Sequence, residues 1–157
     1  MRLREDCSAL ESLPLKLMIV AVVVSLSIVP AAEALGNLRN RDFVNRAEGQ
    51  VRLIASSAQE LMMEGPGGVR TVSLDFTGGG SLKFECITIG DRKGGPNMSA
   101  IVLSLRNGGR IIETVDDPPT WLRGPAGEPM ETRTPSFELR LTCVLEGRSA
   151  YILTEVV

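Results

Sequence analysis

The sequence predicts an α+β protein in which one long N-terminal helix, transmembrane and then amphipathic, precedes an antiparallel β-sandwich-like domain of about six strands. Three patterns carry this expectation. An apolar run without ionisable side chains fills residues 17–32, and a polar segment with a helical apolar stripe follows it to Glu64. Beyond Val69 the apolar period drops from about 3.6 to 2. The resulting divisions are a polar leader and junction at 1–14, a transmembrane helix at 15–35, an amphipathic helix at 36–64 and a β domain at 69–157.

The apolar run is bracketed by Lys16 and Glu33. Its 16 residues span about 24 Å as a helix, slightly less than a hydrocarbon core of about 30 Å. Leu13 and Leu15 extend it, and the Lys16 stem can snorkel. In the next segment Val44, Ala47, Val51, Ile54, Ala58 and Leu61 recur at intervals of three and four, which sets them on one stripe. Arg46, Gln50, Arg52, Ser57 and Glu64 are assigned to the opposite face. The stretch GPGG, residues 65–68, ends the helix, because glycine accepts a left-handed cap and proline cannot continue the ladder.

In the β domain Val72, Leu74 and Phe76 alternate with polar residues, and Thr77 to Gly80 reads as a hairpin turn into Leu82, Phe84 and Cys86. A second hairpin joins SAIVLSLR to GRIIETV through Asn107 to Gly109, a type I′-like signal. A proline-rich crossing loop, Asp116 to Pro135, leads to the cleanest alternation, Phe137, Leu139, Leu141, Cys143 and Leu145. SAYILTEVV closes the chain as a last strand.

Composition narrows the chemistry. The 157 residues fit one compact domain plus an appendage, and a net charge of -2 offers no basic field for nucleic acid. Histidine is absent, which removes the commonest general base and transition-metal ligand, and no catalytic set, metal site or cofactor site can be assembled. Asp116, Asp117 and Asp91 read as solvated turn carboxylates rather than a calcium site. Gly78 to Gly80 opens no helix and precedes no Gly-Lys-Ser/Thr, so it is a turn and not a phosphate loop. Trp121, the only tryptophan, reads as a plug over the core edge, with a binding platform as the alternative.

Of the three cysteines, Cys7 precedes the apolar run, while Cys86 and Cys143 follow it on inward-facing strand positions. An oxidising compartment would join Cys86 to Cys143, closing about 57 residues for roughly 4 kcal/mol on the chain-entropy model. The alternative is two buried free thiols. A paired Cys86 and Cys143 would set the β domain outside the cell. Asn97 begins an Asn-Met-Ser glycosylation sequon in a surface loop.

The apolar run has three fates. As a cleaved secretory signal it offers Ala32 and Ala34 as an A-x-A site, but its n-region sets three acidic residues against Arg2, Arg4 and Lys16. As an uncleaved anchor it is followed by Arg39, Arg41 and Arg46, which by charge alone favour the opposite orientation. The third fate is a retained stem behind a short processed leader. Ser8 to Glu11 (SALE) matches a capping box, with Ser8 as cap and Glu11 reaching back to its amide.

A hydrophilic leader, a small-residue junction, a glutamate, an apolar helix turning amphipathic and then a β domain also make an order that resembles type IV pilins. SALESLPLKLMIV looks like the N-terminus of archaeal pilin-like proteins, and the resemblance covers the N-terminal third of the chain. It implies that a prepilin-type peptidase cuts between Ser8 and Ala9 and removes Cys7. It also implies that Glu11 is the assembly carboxylate, neutralised by the terminal amine of a neighbouring subunit, and that Pro30 is the stem proline. Asp6, Cys7 and Ser8 stand where the bacterial junction has a basic residue and glycine. The expected partners are therefore the membrane, that peptidase and other copies or pilin-like subunits, with the β domain extracellular. The alternative is a secreted or single-pass anchored extracellular binding or adhesion module.

Overall fold

The computed structural model describes residues 14–117 and 119–157, and residues 6–13 only as backbone of the first helix. That helix, α1 (Asp6–Glu64), carries Pro14 and Pro30 within it. The chain divides into two compact units at Arg39/Asn40, so α1 supplies the whole described part of the first unit and opens the second.

In the first unit every apolar side chain from Leu15 to Leu38 is exposed. Pro30 has no N–H to give the Leu26 carbonyl, yet the helix continues through it.

In the second unit, Asn40–Val157, the first element is the amphipathic part of α1. Phe43, Ala47, Val51, Ile54, Ala58 and Leu61 are its buried row. The expected stripe therefore holds from Ala47 onward, while Phe43 takes the seat assigned to Val44, which is half-buried beside it. Ser57, expected on the polar face, is only 6% exposed. It lies three residues after Ile54 and four before Leu61, so helical spacing puts it on the buried side. Gly65, at φ 95°, ends the helix and donates its N–H to the Leu61 carbonyl at 3.0 Å.

Eight strands follow in two four-stranded sheets. The first contains β1 (Val69–Asp75), β7 (Ser136–Glu146), β8 (Ser149–Val156) and β5 (Leu122–Arg123), in that order. The second contains β4 (Arg110–Thr114), β3 (Ala100–Leu105), β2 (Phe84–Ile89) and β6 (Met130–Thr132). All pairings are antiparallel except β5 with β8. Residues of α1 and of both sheets share one apolar core, with Ile54, Leu74, Ile87, Leu103, Leu139 and Ile152 among its members.

The two strands beyond the expected six, β5 and β6, come from the crossing loop. Its prolines leave windows of only two and three residues, and both strands sit at sheet edges, where a neighbouring proline removes no ladder hydrogen bond. The hairpin expected at Thr77 to Gly80 is not formed. β1 pairs with β7 and β2 with β3 and β6, so this loop crosses from one sheet to the other. The β3–β4 hairpin is present, but only Gly108 of its turn has positive φ, 84°, so the turn is not type I′. Asn107 Oδ1 instead accepts the Gly109 N–H at 3.0 Å.

Side-chain amides on α1 tie the helix to the strands. Gln50 Nε2 donates to the Asp75 carbonyl and Oε1 accepts the Asp75 N–H, both at 2.8 Å, completing the outer edge of β1. Asn40 Oδ1 accepts the Ser81 and Leu82 N–H groups at 3.1 and 3.3 Å, and Gln59 Nε2 donates to the Asp117 carbonyl. Arg70 on β1 pairs with Glu60 and Glu64, which raises its pKa from the ordinary value; the pairs are half-exposed and contribute little to stability.

Two substitutions separate these contributions. Gly90 sits at φ 75°, and a Cβ there would lie 1.8 Å from the Leu122 carbonyl oxygen. Gly90→Ala should cost about 3 kcal/mol in urea melts. Gln50→Ala, at a solvent-accessible edge, should cost about 1 kcal/mol. Equal midpoint shifts for the two would contradict this ordering.

Candidate functional site: the apolar stem

The stem is the part of α1 from Pro14 to Arg39. Its apolar side chains point in every direction around the helix, with Met18 67% and Leu26 72% exposed, so no single stripe is reserved for a neighbour. Valines 22–24 are β-branched and favour helix weakly in water. Backbone hydrogen bonding within the helix is compulsory in an apolar solvent, which favours this conformation there. The two hydroxyls in the run need no outside partner. Ser25 Oγ donates to the Ala21 carbonyl at 2.7 Å and Ser27 Oγ to the Val23 carbonyl at 2.8 Å.

Among the described residues, this is the one helix long and apolar enough to cross a membrane. A retained anchor and an export signal share that composition. The helix runs without interruption through Ala32, Ala34 and Gly36, so the A-x-A sequence is helical. The expected processing junction, Ser8 and Ala9, the expected assembly residue Glu11, and Cys7 lie in the part of α1, residues 6–13, of which only the backbone is described.

The β domain arranges the remaining candidates as follows. Cys86 and Cys143 are free thiols, so the expected disulfide is not formed. A bulge between Phe84 and Cys86 shifts the register of β2. Ile87 and Ile89, rather than Cys86, then occupy the core, and Cys86 is only half-buried. Cys143 is buried in the other sheet, 3.9 Å from Met62 Sδ, and burial pushes its pKa up. Neither cysteine therefore bears on which side of a membrane the domain lies. Asn97 is exposed in the β2–β3 loop, where its carbonyl accepts the Ala100 N–H at 2.9 Å.

Asp91, Asp116 and Asp117 do not converge. Asp91 accepts the Arg92 N–H at 2.7 Å and the Asn97 N–H at 3.4 Å, while Asp116 Oδ2 accepts the Thr114 hydroxyl at 2.5 Å. Among the described residues no group of three or more Cys, Asp or Glu is placed to hold a metal ion.

Trp121 is half-buried. Its Nε1 donates to the Asp91 carbonyl at 3.0 Å, and its ring lies 5.3 Å from that of Tyr151. The Arg123 guanidinium lies over both rings, 4.7 Å from Trp121 and 3.7 Å from Tyr151, and bonds Glu146 at 3.2 Å. The partners Arg123 and Tyr151 were not legible in the sequence, since only the parallel β5–β8 pairing brings them together.

Burial keeps the Cys143 thiol protonated, so its contribution to stability is full below the unfolded thiol's titration range and is lost as pH rises through the raised native value. Alkylation of the native chain at mildly alkaline pH should label Cys86 well before Cys143, and denaturation should make both react. A Cys86–Cys143 crosslinked peptide in a non-reducing map would restore the disulfide. Comparison of the chain with protein-family models, with curated proteins and with solved structures found no match.

Proposed function

We propose that the protein is a pilin-like cell-surface structural subunit of the archaeal type, without catalytic activity. The stem, kept after leader removal at Ser8/Ala9, holds it in the membrane and packs against other copies or related subunits. The second unit, with its sheets packed as a sandwich, then lies outside the cell. The observation that carries this reading is the stem itself, which is apolar on all sides and continuous in one helix with the buried row from Phe43 to Leu61. A disposable signal has no need to share a helix with the core of the domain it exports.

The second reading is a secreted or single-pass anchored adhesion module, favoured by Ala32 and Ala34.

Mass spectrometry of the mature N-terminus decides between them. A chain starting at Ala9 is expected; a start at Leu35 would identify a secreted module, and an intact Met1 a simple anchor. Glu11→Ala should leave export unchanged and reduce assembly, scored by electron microscopy of surface filaments. Unimpaired filaments in that variant would remove the assembly role of the carboxylate.

A further inference from the structure

The loop that crosses between the sheets forms one wall of an open cleft of about 380 Å³. Gly78, Gly79 and Gly80 all have positive φ, at 88°, 104° and 48°, so three successive residues present bare backbone. The stacked rings of Phe76 and Phe84, 5.3 Å apart, form the floor. Lys83 and Arg106 are the only charged residues lining the cleft. They stand opposite each other beyond the Phe84–Leu105 pair, with the Arg106 N–H donating to the Lys83 carbonyl at 3.0 Å.

Like charges directly opposite across two strands repel. Among the described residues neither side chain has an ion-pair partner. Arg46 adds positive charge on the helix side, with Nη2 3.4 Å from where a Cβ of Gly78 would lie, and it shares that charge with Asp75. The result is a concave, basic and partly apolar surface that an anion would relieve of its internal repulsion.

The position of the cleft selects the anion. Asn40, the first residue of the second unit, holds Ser81 through a 2.9 Å bond from Nδ2 to Oγ, and Gly79 packs on the Phe43 ring. Only four residues separate Asn40 from Leu35 in the apolar stem, and the five steps between them span at most about 18 Å when fully extended. At the far end of the same unit, Gly65 is about 37 Å of helix from Asn40.

We propose that Gly78–Gly80, Lys83 and Arg106 form a binding site for the phosphate-bearing headgroup of an anionic lipid, supplied by the membrane that holds the stem. The inference rests on the membrane-held reading above. The ammonium and guanidinium take the phosphate, the bare loop lets it approach the backbone, and the Phe76–Phe84 floor meets the apolar part of the headgroup region.

The full chain is reconstituted into bilayers of phosphatidylcholine alone and of phosphatidylcholine with phosphatidylglycerol, and amide hydrogen exchange is followed at residues 77–84. Exchange there should be about tenfold slower with phosphatidylglycerol, as for a site near tenfold saturation, and amides in β7 should not change. Lys83→Glu should abolish the difference; it replaces the repulsive pair by an attractive one and so keeps the fold, while Lys83→Arg should retain the difference. Equal exchange in the two bilayers, in a chain that resists alkaline carbonate extraction, would overturn the site and leave the membrane reading intact. Extraction of the chain by carbonate from both bilayers would overturn both. Protection of residues 77–84 by inorganic phosphate in phosphatidylcholine alone would overturn the lipid assignment in favour of a soluble anion.

Discussion

Burial of one row of α1, from Phe43 to Leu61, in the core shared by both sheets is the contact on which the second unit depends. The two sheets are not joined by a β1–β2 hairpin, so closure between them comes from side chains rather than from a strand ladder. The helix supplies seven buried apolar side chains to that closure, the six of the row and Ala55 beside Ile54, and then has to meet strand edges that expose unpaired backbone. Gln50 does this for β1, and Asn40 for the crossing loop, each with a side-chain amide that copies the donor and acceptor of a peptide group. Apolar burial supplies most of the free energy, and the amides fix the helix's register along the edge.

The same helix has a different requirement in the stem. From Leu17 to Ala32 it has no polar face, and its two hydroxyls are bonded to its own backbone. Such a surface has the composition of a membrane-crossing helix or of an export signal. Water satisfies neither the valines nor the leucines there. The change from an all-round apolar surface to a single buried row falls in the few residues around the Arg39/Asn40 division, where Arg39 and Arg41 are exposed.

Much of this was legible in the sequence because its periodicity is strong. Ala47, Val51, Ile54, Ala58 and Leu61 keep helical spacing, and Phe137 to Cys143 keep strand spacing, so their burial follows from local pattern alone. What escaped needed non-local information. The bulge after Phe84 cannot be read from FECITI, yet it removes Cys86 from the core and with it the disulfide. The Thr77–Gly80 loop has the composition of a hairpin turn, and only the pairing of β1 with β7 shows that it crosses between sheets. Arg123 and Tyr151 meet Trp121 through a parallel pairing that no short-range signal announces. The stem was legible from composition.

The glycines of the crossing loop illustrate how a local reading can be right and incomplete. Gly78 to Gly80 is a turn and not a nucleotide loop, since no helix follows to direct its dipole at a phosphate. Yet a turn that crosses between sheets has to pass over the helix, and Gly79 can do so only because it has no Cβ to meet the Phe43 ring, at 2.5 Å. Bare backbone is thus imposed here by packing. It lies beside Lys83 and Arg106, which have no ion-pair partner among the described residues and are held opposite each other by the β2–β3 register. A pair of like charges in register gives up some stability, and at these exposed strand ends one substitution would remove it. Its presence next to the residues that lead into the stem is economical if a charged membrane surface supplies the missing counter-charge.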